Sequence, residues 1–203
     1  MDDLCVICPG GHWKAVMEAL LERHLHLGIR EITSEVIAFP LGRDRLLRAR
    51  GPDLARLQRD RFHHCLIVLD ADRSGEDADA AAIEESLNRR LAEVWSDSGA
   101  RALVAEPSVE GWLLEGHRVF SRVRGLRGVD VRQWLAERDL WALKADLPDD
   151  PRAVVEALFL AHGARPSAAN YRLIADEAPI RLDRCQATSF RRMVHILREW
   201  FLP

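Results

Sequence analysis

The sequence predicts an α/β fold in which a mainly parallel sheet is flanked by helices, with a helical annex at the C-terminal end. As far as about residue 120, short apolar runs alternate with stretches in which apolar residues recur at helical spacing. Beyond that point no strand pattern is found, and only helical spacing remains. We therefore expect an α/β domain over residues 1–120 and a helical extension packed on it over residues 121–203.

Four short apolar runs predict the strands of the sheet. The third of them, HHCLIVLD, has an unbroken apolar core, which is typical of a parallel strand that is covered on both faces. Turn residues or acids close these runs. The predicted strands cover residues 4–8, 31–40, 63–70 and 101–107.

Helices are predicted where apolar residues face one side at a period of 3.6 residues. The first covers 12–25, an arginine-rich loop and helix follow the second strand, and another helix follows the RSGED segment. Pro107 opens a helix that extends to about residue 120. The helices predicted for the annex cover residues 129–140, 149–163 and 188–201.

The composition restricts the class of protein. The chain has 203 residues, 48% of them hydrophobic, and a net charge of −3, which leaves acidic and neutral partners open. No apolar run approaches the roughly 18 residues of a membrane span, so no membrane partner is expected. The start, MDDLCVICPGG, lacks a basic n-region, and the four cysteines have no framework spacing, which favours a cytoplasmic protein.

The spacing Cys5-x-x-Cys8 raises the question of a zinc site. On a strand these two side chains point to opposite faces, and no second pair of cysteines completes a set of ligands. We therefore expect buried core thiols.

Acidic residues follow the third and fourth predicted strands. Asp70 and Asp72 end the third strand, Glu106 ends the fourth, and Glu110 lies one helical turn further on. Sites in open parallel sheets form beyond the carboxyl ends of the strands, so these acids converge if the two strands are neighbours. Carboxylate oxygens suit Mg²⁺ or Mn²⁺, ions that also bind phosphates. The alternative is that Asp70 and Asp72 belong to a turn that caps the next helix.

Three segments together resemble a known fold. The order strand–PGG–helix, then LIVLDAD, then EPSVEGWLL resembles the TOPRIM fold of topoisomerases, primases and OLD-family nucleases. It is similar in particular to small TOPRIM-like proteins of bacterial defence islands, related to RloB, in which a Pro-x-x-Glu-x-Trp-Leu-Leu segment recurs. The helical tails of those proteins resemble the later pattern Tyr171, Cys185, Ser189 and Phe190.

The resemblance implies divalent-metal chemistry on a nucleic-acid phosphodiester, in a nuclease that serves phage defence. It implies that Asp70 and Asp72 bind Mg²⁺ or Mn²⁺ and that an acid after the next strand completes the site, with Glu106 expected as a metal ligand and Glu110 as a catalytic residue. Such a metal polarises a phosphate and activates water. DNA or RNA is then the expected partner, with other defence-system proteins as further partners.

The sequence departs from the TOPRIM pattern at the end of the first strand. TOPRIM enzymes usually carry a glutamate there, and this chain has Pro9 in its place. His12 and Lys14 follow; His12 has a pKa suited to a general base, and both suit phosphate binding at a helix N-terminus. They are equally compatible with surface residues. The departure leaves open a degenerate TOPRIM domain that binds nucleic acid or a partner protein without cleaving.

Basic residues around these segments are the candidates for contact with a phosphate backbone. They are Lys14, Arg73, Arg118, Arg122, Arg124 and Arg127.

Two other enzyme classes use a DxD motif. Nucleotide-sugar transferases end a strand in one, and haloacid-dehalogenase-type phosphatases use its aspartate as a nucleophile together with a downstream lysine. The chain has only Lys14, upstream of the motif, and Lys144, so the phosphatase hypothesis is weak. Neither a Walker loop nor a Ser-His-Asp arrangement is discernible.

Overall fold

A computed structural model describes residues 1–39, 44–71, 79–95, 99–177 and 185–203. In this part of the chain, the parallel strands β1 (Asp2–Cys8), β2 (Ser34–Ala38), β3 (Phe62–Asp70) and β4 (Ala100–Ala105) form one sheet in the order β2-β1-β3-β4. Helices flank both faces of this sheet. The predicted α/β class with a parallel sheet is confirmed, and the arrangement is consistent with a Rossmann-like fold.

The helices of the described residues are α1 (Gly11–Glu22), α2 (His24–Leu27), α3 (Asp44–Gln58), α4 (Ala80–Val94), α5 (Glu110–Leu114), α6 (Val131–Ala136), α7 (Pro151–Ala161), α8 (Ala168–Glu177) and α9 (Thr188–Trp200). The helix predicted over 108–120 is instead α5 followed by a 3₁₀ helix, His117–Arg122, because Gly116 leaves the helical conformation between them. Helix α8 was not predicted. No helix in the described ranges combines the length and apolar character that crossing a bilayer requires.

The sheet separates two hydrophobic clusters, because alternate side chains of a strand point to opposite faces. On one face Ile67 and Leu69 pack with α3 and α4. On the other face Leu66 and Val68 pack with α1 and with the helices of the C-terminal part. All four cysteines are free and buried, and Cys5 and Cys8 lie on opposite faces as expected.

The C-terminal helices complete the second face of the sheet. Helix α8 packs against α1, α7 against α5, and α9 against β4. Phe159 and Leu197 from these helices belong to the same buried cluster as Leu66. The boundary near residue 120 stays a prediction.

The outer edge of β4 is closed by side chains. The amide of Val104 donates to Glu84 Oε2 at 2.9 Å, and the amide of Ala102 donates to Asn88 Oδ1 at 2.7 Å. Arg192 Nη2 donates to the carbonyl of Val104 at 3.1 Å. Backbone groups that a further strand would otherwise pair with are thus satisfied from α4 and α9.

Candidate functional site

The strand order brings the ends of β1, β3 and β4 together. Strand β3 lies between the other two, and Asp70 at its end is in register with Ala105 of β4. The third and fourth strands are therefore neighbours, which is the condition under which the acids that follow them can converge. A cleft of about 250 Å³ lies at this edge, and Pro9, Asp70 and Glu110 are among the residues that line it.

All the charged residues that are buried in the described part of the chain line this cleft. They are Asp44, Asp70, Glu110 and Arg152, with exposed fractions between 3% and 9%. Burying a charge is unfavourable unless it is paired and hydrogen-bonded. Glu156 adds a fourth, exposed carboxyl group, so among the described residues that line the cleft four carry a carboxyl group and one carries a guanidinium, and acidic groups are in excess.

Asp70 is fixed by contacts from three other segments. Its Oδ1 accepts a hydrogen bond of 2.8 Å from the amide of Val109, just before α5. Its own amide donates to Asp44 Oδ1, at the start of α3, at 2.8 Å. Its Oδ2 accepts from Arg152 Nη2 at 2.6 Å. The end of β3 is therefore tied to both faces of the sheet.

Glu110 has one oxygen with partners and one without. Oε1 accepts a hydrogen bond of 2.8 Å from the hydroxyl of Tyr171 in α8 and lies 3.6 Å from Arg152 Nε. Oε2 is buried and has no hydrogen-bond partner among the described residues. A buried oxygen of this kind costs free energy unless a ligand, an ion or water satisfies it. Glu110 Oε2 is therefore an available acceptor for water, an ion or a ligand in the cleft.

Arg152 reaches the cleft from the first turn of α7. Asp150 caps this helix by accepting from the amide of Ala153 at 2.9 Å, and Pro151 occupies the first helical position. These two residues fix where α7 begins and so place Arg152 against Asp70 and Glu110.

Burial and like charge shift the proton equilibria of this group. Desolvation raises the pKa of Asp70 well above its usual range, and the carboxyls of Glu110 and Asp44 raise it further, against the opposing effect of Arg152. The pKa of the Tyr171 hydroxyl is also raised, by desolvation and then by Glu110. Both shifts therefore follow first from burial and then from carboxyl groups that lie close together.

His12 lies at the cleft, whereas Lys14 does not. His12 lines the cleft and stacks on Tyr171 with ring centroids 4.3 Å apart. Lys14 forms an ion pair with Glu18 at 3.6 Å and lines a different cleft of about 440 Å³ beside β2. The two residues are two positions apart on one helix, so they face different directions.

The remaining predicted ligands lie elsewhere. Glu106 is exposed and is not among the described residues that line the cleft. Of the two acids after β4, Glu110 is the one that reaches Asp70's neighbourhood. Asp72 and Arg73 fall outside the described residues.

Four of the predicted nucleic-acid-binding arginines lie on one exposed stretch. Arg118 and Arg122 belong to the 3₁₀ helix, and Arg124 and Arg127 follow it; all four are exposed. Arg122 pairs with Glu177 at the end of α8, at 3.1 Å. Glu177 lies six residues beyond Tyr171, roughly 9 Å along α8. Helix α8 therefore contacts the arginine stretch at its end and lines the cleft through Tyr171.

The tail residues of the family resemblance gather around the segment that carries Glu110. Tyr171 donates to Glu110, and Ser189 Oγ accepts from Trp112 Nε1 at 2.9 Å. Phe190 packs edge-on against Trp112 with centroids 5.4 Å apart. These residues therefore support α5 from the C-terminal helices.

Sequence reasoning missed two buried charged members of the cleft. Asp44 stands in an arginine-rich segment, and Arg152 follows the turn that begins α7. Neither carries a local signal for a site, because each reaches the cleft only through tertiary packing. Tyr171 was noted only as part of the tail pattern.

The donor set suits a hard cation. Its members are carboxylate oxygens, which Mg²⁺ and Mn²⁺ prefer, and one of them, Glu110 Oε2, is unpaired within the described residues. Within those residues, no three acidic, histidine or cysteine side chains form a ready metal site. Arg152 instead lies against Asp70 and Glu110. The described residues thus suit a hard cation by their oxygen donors and their acidic character, and not by a ready arrangement of ligands.

Comparison with known proteins adds no relative: no protein-family model matches the chain, and neither the curated proteins nor the solved structures contain a match.

Proposed function

We propose that this chain is a divalent-metal-dependent nuclease of TOPRIM type that acts on nucleic-acid phosphodiesters. The observation that carries the proposal is the excess of buried carboxylate at the carboxyl ends of β3 and β4, together with the unpaired Glu110 Oε2. Oxygen-only donors at such an edge favour Mg²⁺ or Mn²⁺. The TOPRIM assignment, the antiviral role, the defence-protein partners and the cytoplasmic location rest on the sequence.

Asp70 and Glu110 are the described residues that would hold the metal, and Asp72 is the further ligand that the sequence predicts. When bound, the ion supplies Lewis-acid polarisation of a phosphate and a more acidic water. His12, at the cleft and against Tyr171, is placed to hold or accept a proton. Arg118, Arg122, Arg124 and Arg127 would bind the backbone of DNA or RNA beyond the cleft.

Calorimetric titration with Mn²⁺ and Mg²⁺ tests the metal assignment. We expect binding by the wild type and none by Asp70→Ala/Asp72→Ala. The matched control is Asp53→Ala/Glu85→Ala, which removes two exposed acids from α3 and α4. Mn²⁺-dependent cleavage of labelled DNA or RNA should follow the same pattern. A wild type that binds neither ion, with or without nucleic acid, contradicts the proposal.

A second function is favoured by two specific observations. Pro9 lines the cleft where TOPRIM enzymes usually carry a glutamate, and the Arg152 guanidinium already contacts both carboxylates. These features favour a catalytically degenerate domain that binds nucleic acid or a partner protein in a defence complex. Nucleic-acid binding without metal binding or turnover by the purified protein would select this function.

A further inference from the structure

Arg152 bridges the two described carboxylates that the proposed function assigns to the metal. Its Nη2 lies 2.6 Å from Asp70 Oδ2 and its Nε lies 3.6 Å from Glu110 Oε1. We propose that Arg152 is an internal counter-ion that competes with the divalent metal for Asp70 and Glu110, so that metal binds only when the guanidinium leaves them. This inference rests on the proposed function and concerns the regulation of its site.

The competition follows from space and charge. A metal ion of this class binds carboxylate oxygens at roughly 2.0 to 2.2 Å and requires their lone pairs. Each carboxylate oxygen has two lone pairs; Arg152 takes one on Asp70 Oδ2, and the amide of Val109 takes one on Oδ1. A metal on Asp70 therefore shares its oxygens with these donors. Because the guanidinium and a divalent ion are both cations in one buried cleft, their repulsion makes them compete for Asp70 and Glu110.

The cleft offers the guanidinium a second position. Glu156 lines the same cleft, is exposed, and stands four residues after Arg152 on α7. Side chains at this spacing are neighbours on a helix surface and form ion pairs. Arg152 also stands in the first turn of α7, where the helix dipole disfavours a cation. Asp70 and Glu110 are the described residues seen to hold it in its present position, and Glu156 provides an alternative partner nearer to solvent.

The test is Mn²⁺ calorimetry on the full chain with Arg152→Gln, which removes the competing charge and keeps a polar side chain. We expect Mn²⁺ to bind the variant more tightly than the wild type, on the order of tenfold. Without metal, the variant should melt at a lower temperature than the wild type, and saturating Mn²⁺ should raise its Tm by more than that of the wild type. The control is Arg89→Gln, which removes an exposed arginine paired with Glu85 and should leave both readouts unchanged.

The outcomes separate this inference from the proposed function. Tighter binding by the variant supports the competition, and binding by the variant alone supports it while favouring the non-catalytic function for the wild type. Equal or weaker binding by the variant overturns the competition and leaves the metal assignment standing. Absence of binding by both proteins overturns both. If Arg152→Gln does not fold, Arg152→Met decides, because methionine keeps an unbranched side chain and removes the competing charge; binding no tighter than wild type then overturns the inference.

Discussion

The hydroxyl of Tyr171 donates a hydrogen bond of 2.8 Å to Oε1 of Glu110, across 61 residues of sequence. This contact joins α8 to α5 at the cleft and orients a carboxylate whose other oxygen, Oε2, has no partner in the described part of the chain. His12 stacks on the same tyrosine ring from α1. The C-terminal helices therefore build part of the site as well as covering the sheet.

Tyr171→Phe should lower the free energy of unfolding by about 1.5 to 3 kcal/mol, because it removes a buried hydrogen bond to a carboxylate while keeping the ring that stacks on His12. Urea unfolding at neutral pH measures the change. Ser121→Ala, which removes an exposed hydroxyl bonded to the carbonyl of Arg118, should change stability by less than about 0.5 kcal/mol. Equal effects of the two substitutions would contradict the assigned importance of the Tyr171–Glu110 contact.

Glu110→Gln and Glu106→Gln should affect Mn²⁺ binding differently, although both acids follow β4. Glu110 is buried at the cleft, so its substitution should weaken binding by about 10- to 100-fold, whereas Glu106 is exposed and its substitution should leave the affinity unchanged. Calorimetry of both variants gives the comparison. The reverse ranking would make Glu106 the ligand.

Mn²⁺ affinity should increase with pH well above the usual titration range of a carboxyl group, about pH 4. Burial, Glu110 and Asp44 raise the pKa of Asp70, so this carboxyl keeps its proton to higher pH and must release it before it binds a metal. Mn²⁺ titration at several pH values from about 4 upward measures the change. An affinity that has already reached its plateau near pH 4 is the outcome that contradicts a raised Asp70 pKa.

Arg124→Ala/Arg127→Ala should weaken nucleic-acid binding in a salt-dependent way. Each arginine that contacts a phosphate contributes about one unit to the slope of log affinity against log salt concentration, so the double variant should lower this slope by about two. Fluorescence anisotropy with labelled duplex and single-stranded probes measures it. Arg50→Ala/Arg89→Ala removes two exposed, ion-paired arginines from α3 and α4 and serves as the control; an equal loss in both variants would point to net charge alone.

Asp3→Asn should reduce stability by about 1 kcal/mol at pH 7, the scale of a surface ion pair. The hydrogen bond from Arg30, with further bonds from Thr33, lowers the pKa of Asp3 from 3.8 to about 2. A depressed folded-state pKa contributes stability above the unfolded-state value and loses it as pH falls through the folded-state value. The difference between wild type and variant should therefore close as pH falls from about 4 to 2.

Urea unfolding across this pH range follows the difference. The control is Asp53→Asn, whose partner Arg50 is 3.7 Å away and largely exposed, and it should show no such convergence. A difference that persists at pH 2 would contradict the role of the Asp3 carboxylate.

The sheet and the placement of two acids were predictable because both depend on short-range pattern and general topology. Apolar runs reveal strands, and neighbouring parallel strands bring Asp70 and Glu110 to one edge. Arg152 was not predictable, because it contacts Asp70 across 82 residues through the packing of α7. No periodicity in the sequence encodes that contact.

His12 and Lys14 are close in sequence but lie at different clefts, so their closeness in sequence was a misleading guide to a shared role. Both follow the PGG turn, so sequence spacing alone assigns them together to phosphate or base chemistry. A helix advances by about 100° per residue, and two positions therefore separate the side chains by more than half a turn. His12 accordingly stacks on Tyr171, while Lys14 meets Glu18 on another surface.

The side chains along the outer edge of β4 determine how copies of this chain can associate through their strands. Glu84, Asn88 and Arg192 occupy the amides of Ala102 and Val104 and the carbonyl of Val104, three of the groups to which an incoming strand would bind. Within the part of the chain that the structure describes, the β2 side of the sheet is then the edge left for such an encounter. A molecule with one strand-accepting edge forms at most a closed pair through it, because open-ended growth into a filament needs two.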